Sequence, residues 1–325
     1  MRPRARAALA GVLFVALVAS RAGAATKAVL TLHWYPQTQF AGYYMALAKG
    51  FYAARGIDLE IRRGGSDVDS IRELREGRTD FATLFLTAGI LYRADDLRLV
   101  NVVQVVNRGN LLIVARRDRG VSKIADLDGR RMSLWGDHFS AAFKKAFADS
   151  GIWPVLFDQF SSVELFLRGG VDACCAMSYN EYQRILLAGR SPEELTVISL
   201  ADEGYDIPED GVYCVEETWR KDPELARDLG EATMEGWRYA AEHPEEAVDR
   251  VARPVRLRQD EVHRVLLRRM LDGILPSILA DGSWRTPGVL SREDYERAAG
   301  LVRSVFVEAG ESAPYEAFRP LESGR

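Results

Sequence analysis

Between Val29 and Leu86 the hydrophobic pattern changes period four times, and this alternation constrains the possible fold more than any other feature of the 325 residues. Val29 to Trp34 is a short apolar run that stops at Tyr35-Pro36. Phe40, Tyr44, Leu47, Ala48 and Phe51 then recur at steps of three and four, which predicts a helix ending near Arg55-Gly56. Ile57, Leu59 and Ile61 alternate with Asp58, Glu60 and Arg62, the pattern of a strand with one wetter face. Gly64-Gly65-Ser66 reads as a turn, Val68, Ile71 and Leu74 as a short helix closing at Gly77, and Phe81 to Leu86 as a third strand. Strand, helix, strand, helix, strand is the signature of an α/β unit, a parallel sheet with helices on its faces.

A second unit starts near Gly129. Arg131 to Trp135 is strand-like, Phe139 to Ser150 is helical up to Gly151, and Val155 to Phe160 is apolar again. At an offset of 92 residues, Ser70 to Asp80 aligns without gaps on Ser162 to Asp172, with Ser, Gly and Asp coinciding. Each segment is a short helix, a glycine stop, a turn carrying Asp and an apolar strand, so two similar units are expected in one chain. From Asp222 onward the pattern is mostly helical through Trp237, Tyr239, Ala240 and Ala247, broken at His243-Pro244. A later amphipathic helix runs through Val262, Val265, Leu266 and Met270, and the apolar-poor tail from Glu311 is expected to fray.

Arg2, Arg4 and Arg6 precede an uncharged apolar run from Ala7 to Ser20 and then Ala22-Gly23-Ala24, the layout of a secretory signal peptide cleaved near Ala24. The run is too short to span a bilayer, which takes about 20 residues. Without that segment 39 basic residues face 47 acidic ones, and no basic block offers a phosphate-binding surface, which argues against nucleic acid as a partner. The expected mature product is a soluble, exported, mildly acidic protein. Cys174, Cys175 and Cys214 are too few for a disulfide framework. Cys174 and Cys175 point to opposite faces of a buried strand as small core residues, and the sequence leaves open one bridge from either to Cys214.

Catalytic signatures are not found: there is no G-x-S-x-G, P-loop, G-x-G-x-x-G or H-E-x-x-H. His33, His138, His243 and His263 lack metal-ligand spacing, although His33 and His138 lie beside strand ends; no metal and no cofactor is expected. In open parallel sheets ligands sit beyond the carboxyl ends of the strands. Here those places carry Trp34-Tyr35-Pro36-Gln37-Thr38-Gln39, Gly64-Gly65-Ser66, Phe85-Leu86-Thr87, Trp135-Gly136-Asp137-His138-Phe139 and Met177-Ser178-Tyr179-Asn180-Glu181. Aromatic faces would sandwich a flat ring while Asn180, Glu181 or Asp137 takes its hydrogen bonds. Phe40, Tyr44 and Phe51 also form the apolar stripe of their helix. The candidate ligand-lining set is Trp34, Tyr35, Gln39, Phe40, Tyr43, Gly64, Gly65, Phe85, Leu86 and Asn107 in the first unit. In the second it is Trp135, Asp137, Phe139, Tyr179, Asn180 and Glu181.

The same residues carry a likeness. Trp34 to Tyr44, Lys49-Gly50-Phe51-Tyr52 and Gly56 to Ile61 resemble the opening of the thiamine-pyrimidine-precursor branch of type II periplasmic solute-binding proteins. Asp126 to Arg131, Val171-Asp172-Ala173, Ser178 to Tyr182, Asp210-Gly211 and Gly236 to Ala240 continue it in order over nearly the whole mature chain. The resemblance implies the type II periplasmic-binding-protein fold: two α/β lobes with parallel-dominated sheets, joined by two hinge crossings, with a ligand cleft between them. It divides the chain into residues 25–107 plus 211–325, including C-terminal helices, and residues 108–210, with crossings near Val105 to Asn110 and Tyr205 to Val212. Trp34, Gln39 and Tyr43 would then face Trp135, Asn180 and Glu181. It further implies a monomeric, non-enzymatic periplasmic protein that delivers a pyrimidine precursor to an ABC permease and its ATPase. Relatives take sulfonates, aromatic acids or flavin precursors, and eukaryotic relatives are synthases using pyridoxal phosphate and a cysteine-rich motif. This chain has only Cys174-Cys175 in the corresponding region, which sets it apart from the synthases.

Overall fold

The computed structural model describes residues 25–257, 262–279, 286–308 and 310–320. The export segment expected over residues 1–24 lies outside them, as does the side chain of Asp137. The chain begins β1 (Thr26–Thr31), α1 (Ala41–Ala48), β2 (Ile57–Arg62), α2 (Ser70–Arg75), β3 (Phe81–Phe85), α3 (Leu86–Ala94) and β4 (Leu99–Gln104). It continues with β5 (Leu111–Arg116), β6 (Arg131–Leu134), α4 (Ala141–Ser150), β7 (Val155–Asp158), α5 (Glu164–Leu167), β8 (Ala173–Met177), α6 (Glu181–Leu187) and β9 (Leu195–Ser199). It ends with β10 (Asp210–Val215), α7 (Glu216–Lys221), α8 (Pro223–Glu242), α9 (Pro244–Arg256), α10 (Arg264–Leu279), α11 (Arg292–Val305) and α12 (Tyr315–Phe318).

The strands form two five-stranded sheets, ordered β2-β1-β3-β10-β4 and β7-β6-β8-β5-β9. In each, three strands pair in parallel and the fourth in the row runs antiparallel to both its neighbours. That antiparallel strand is the one arriving from the other sheet, β10 after β9 and β5 after β4. The two halves therefore share one topology, and four of five strands in each point the same way. The internal repeat has a physical counterpart. Asp80 accepts a hydrogen bond at Oδ2 from the Val29 backbone N–H (2.8 Å), and its own N–H donates to the Val29 carbonyl (3.1 Å). Asp172 does the same with Arg131, at 3.1 and 2.8 Å. One carboxylate thus fixes the register of the central parallel pair in each sheet.

Two glycines explain another part of the pattern. A Cβ on Gly236 of α8 would stand 2.1 Å from the Gly42 carbonyl oxygen, and one on Gly42 would enter the Trp237 indole. Only glycine lets α1 and α8 approach this closely, and the contact seals Trp237 in the core. Cys174 and Cys175 do point to opposite faces, into separate apolar clusters. The bridge to Cys214 left open by the sequence is not formed: Cys214 lies in the other sheet, and all three thiols are free and buried.

Other expectations are corrected. The apolar run read from Val155 to Phe160 forms a strand only as far as Asp158, and that strand is an exposed edge. Val265, assigned to an apolar stripe, is 55% exposed. The tail does not fray up to residue 320: Phe318 of α12 is fully buried against Tyr213 and Tyr295, and Arg319 donates to Asn101 Oδ1 (2.7 Å). A single aromatic anchor outweighs the polar composition around it. α8 and α9 pack on α1, whereas α10 also reaches α6 and α11 packs on both α3 and α4, so these helices touch both halves. Among the described residues no helix is long and apolar enough to cross a membrane.

Candidate functional site

A cavity of about 330 Å³ opens where the carboxyl ends of the parallel strands of both sheets face α9 and α10. Its size lies at the lower end of the range of small-molecule sites. Of the residues expected to line it, Trp34, Tyr35, Gln39 and Phe85 do so from the first half, and Trp135, Phe139, Tyr179, Asn180 and Glu181 from the second. The sequence places them correctly because each sits at the end of a strand, where the chain must turn and its side chains gather with those of neighbouring strands.

Six expected residues serve the surrounding structure instead. Phe40 is buried behind the cavity, edge-on to His33 with ring centroids 5.3 Å apart. Tyr43 packs into the core against Trp237, and Leu86 is a core residue whose N–H donates to the Glu209 carbonyl (2.9 Å). Gly64 lies so close to the end of β1 that a Cβ would meet the Leu32 carbonyl oxygen at 2.0 Å, and Gly65, at φ +142°, lies under the Tyr35 ring. These two glycines position Trp34 and Tyr35 without lining the space. Asn107 is spent on anchoring the first crossing: its N–H donates to the Ser277 carbonyl (2.8 Å) and its Nδ2 to that of Thr286 (3.1 Å). His138 does not line the cavity, and its ring lies tilted against Phe139 with centroids 4.1 Å apart.

Sequence reasoning missed the wall contributed by Val255, His263, Leu266, Leu267 and Met270, and the rim residues Phe160 and Ser161. The helical residues carry no local signal, since they read as an ordinary apolar stripe and reach the site only through the tertiary fold. Thr38 fastens this wall to the first loop, its hydroxyl donating to the Leu267 carbonyl (2.7 Å). Gln37, Met177 and Arg184 also line the cavity, as does His33, flagged by its strand-end position.

Two buried carboxylates set the electrostatics. Glu181 opens α6; its Oε2 accepts from the Met177 N–H (2.9 Å) and its Oε1 from Asn180 Nδ2 (2.9 Å). Burial nevertheless raises its pKa above the usual carboxylate range. Arg184 is held by Asn180, donating from Nε to Oδ1 (2.8 Å). Opposite, Gln37 donates to Gln39 Oε1 (2.5 Å), and Gln39 Nε2 donates to Asp210 Oδ2 (2.6 Å). His33 Nδ1 lies 2.8 Å from the Thr83 hydroxyl, which also accepts from the His33 backbone N–H at 2.8 Å. The hydroxyl proton is therefore free to point at Nδ1, which leaves the ring proton on Nε2, 3.6 Å from Asp210 Oδ1. Burial lowers His33 from 6.5 to about 3 and raises Asp210 from 3.8 to about 7. The cavity thus combines aromatic faces, amide groups and hydrogen-bond acceptors around the buried Glu181 carboxyl group, with Asp210 behind Gln39 and His33. Among the described residues no three His, Cys, Asp or Glu side chains converge as a metal site requires.

Two sheets of one topology, exchanging a strand connection twice and enclosing a cavity at their strand ends, define the type II periplasmic-binding-protein fold. The sulfonate-binding protein SsuA of Escherichia coli superposes with a TM-score of 0.71 at 13% identity, covering 90% of this chain and 97% of that one. The family model described as NMT1/THI5 like matches residues 37–247, and the chain belongs to that family. Among curated proteins, the riboflavin-binding protein RibY of Chloroflexus aurantiacus is 25% identical over 85% of this chain and 82% of its own length. A formylaminopyrimidine-binding protein of Halalkalibacterium halodurans is 22% identical over 89% and 88%. A 4-amino-5-hydroxymethyl-2-methylpyrimidine phosphate synthase of Legionella pneumophila is 21% identical over 69% and 72%.

Proposed function

We propose that this chain is the exported, periplasmic ligand-capturing component of an ABC importer, and that its ligand is a small, flat, polar nitrogen heterocycle. A hydroxymethyl- or formyl-aminopyrimidine is the leading candidate. The observation that carries this reading is the pairing of the Trp34, Tyr35, Trp135 and Phe139 rings with the buried acceptor Glu181. A flat ring fills an aromatic slot, and an exocyclic amino group donates to a carboxylate. An anionic sulfonate would instead bring its charge beside Glu181, and its counter-charge would have to come from Arg184, which gives one N–H to the neutral Asn180 amide. A flavin is the second reading, favoured by the similarity to RibY over most of both chains and by an aromatic lining on both sides of the cavity. A synthase using pyridoxal phosphate on a lysine fits poorly, because none of the described residues lining the cavity is a lysine.

The test is calorimetric titration of residues 25–325 with both aminopyrimidines, riboflavin and an alkanesulfonate, repeated with Glu181→Gln. For an aminopyrimidine the substitution removes a charge-assisted acceptor, and affinity is expected to fall by about 1.5–3 kcal/mol, roughly 10- to 100-fold. Preferential binding of the sulfonate, strengthened by Glu181→Gln, would sink the heterocycle reading.

A further inference from the structure

The two sheets share one topology but guard their outer edges differently. β2 closes the first sheet with buried Ile57 and Leu59 alternating with exposed Asp58 and Glu60, and such charges discourage a further strand from adding. β7 holds the same place in the second sheet and reads Val155-Leu156-Phe157-Asp158, all four exposed. Trp153 and Phe160 flank it at 78% and 81% exposure.

The backbone of β7 is equally informative. The Val155 N–H donates to the Arg130 carbonyl (2.8 Å) and that of Gln159 to Leu134 (3.0 Å), so the odd-numbered residues bond inward to β6. Leu156 and Asp158 therefore turn their N–H and C=O groups outward, and the preceding even position is Pro154, which has no N–H to give.

We propose that β7 is a self-association edge, on which the β7 of a second copy of this chain adds antiparallel across a two-fold axis. Outward-facing residues must pair with outward-facing ones. Leu156 opposite Leu156 of the second copy would place Asp158 against Pro154 and lose a hydrogen bond at each end. Leu156 opposite Asp158 keeps every bond and puts the two Phe157 rings face to face at the axis. In that register Phe160 of one copy falls opposite Pro154 of the other, so the most exposed aromatic residue of the patch gains an apolar partner. The single charge of the strand lies opposite a leucine and not opposite itself. At 150–250 Å² per aromatic side chain, the three aromatic residues supply on the order of 400 Å² per copy. With the aliphatic residues and the strand edge, two copies bury roughly 1,200 Å², the lower bound for a specific interface.

The test uses the ligand-free chain, so its result is independent of what the cavity binds. Sedimentation velocity is expected to show a concentration-dependent dimer. Leu156→Lys should weaken it at least ten-fold while the dilute, monomeric variant keeps the native circular-dichroism spectrum, because the side chain is 45% exposed in the monomer. Phe157→Cys should cross-link on oxidation, since directly opposed residues at non-hydrogen-bonded positions have Cα atoms about 4.5 Å apart, within disulfide reach. The three native thiols are buried and do not compete. Val155→Cys, four residues from its own image, should not cross-link. A monomer at every concentration overturns the proposal. So does a dimer that survives Leu156→Lys, or one that cross-links through Val155→Cys and not through Phe157→Cys.

Discussion

His33 and Asp210 meet behind Gln39 with one proton to share. The folded pair holds a single proton between about pH 3 and about pH 7, and the unfolded chain also holds one over most of that interval, from 3.8 to 6.5. The depressed histidine makes stability rise with pH, the raised aspartate makes it fall, and in the native chain the two slopes oppose each other. Asp210→Asn leaves the histidine slope alone. Below pH 6.5 the unfolded variant takes up a proton that the folded one refuses until about pH 3, so its stability relative to the native chain should drop as pH falls. At one pKa unit per 1.36 kcal/mol the relative loss on going from pH 7 to pH 5 is about 2 kcal/mol, read from urea unfolding at both pH values. A constant difference between variant and native chain would mean that burial does not raise Asp210, since the His33 slope is common to both chains and cancels. At this scale the sequence was partly legible. The strand-end aromatics and His33 announce themselves by position, whereas Asp210 reaches His33 only because β10 enters the first sheet beside β3, a pairing across more than a hundred residues.

At the scale of elements, local periodicity located most strands and helices, because each has a full apolar face to bury. The repeat at an offset of 92 was legible because Asp80 and Asp172 do the same work in two sheets. Two elements misled, in opposite directions. β7 is an apolar run that stops at Asp158, short of Phe160; α12 is four residues in a polar tail, so composition wrongly suggested fraying. Tertiary packing decided both. If α12 is part of the folded unit, Phe318→Ala removes a buried ring from between Tyr213 and Tyr295 and costs about 3–5 kcal/mol, as such truncations do in cores. A frayed tail would give a change near zero. Chemical denaturation of the single variant separates these outcomes.

At the scale of the molecule, the two crossings between the sheets meet at Asn110. The N–H and the Nδ2 amide of Asn110, on the first crossing, both donate to the buried Glu209 carboxylate on the second, the side-chain bond measuring 3.2 Å. Its Oδ1 accepts from Ser178, after β8, at 3.1 Å and from Ser277 of α10 at 2.9 Å. One amide thus ties both crossings, the loop that carries Tyr179, Asn180 and Glu181, and the helix that walls the cavity. Gly273 tightens the same junction, because α10 lies against the Tyr179 backbone where a Cβ would come within 3.1 Å of it. If closure over a ligand is a rotation about these crossings, this network sets the resting angle between the halves, and the ligand works against it. Asn110→Ala would leave one Glu209 oxygen and two hydroxyls short of a partner, for a loss of about 1–3 kcal/mol in stability. The ligand-free variant should also show a radius of gyration shifted or broadened in small-angle scattering, since the angle is no longer fixed. Lower stability with unchanged scattering would mean that Asn110 holds the crossings together without setting the angle. The bridging helices α10 and α11 would then be the elements that fix it.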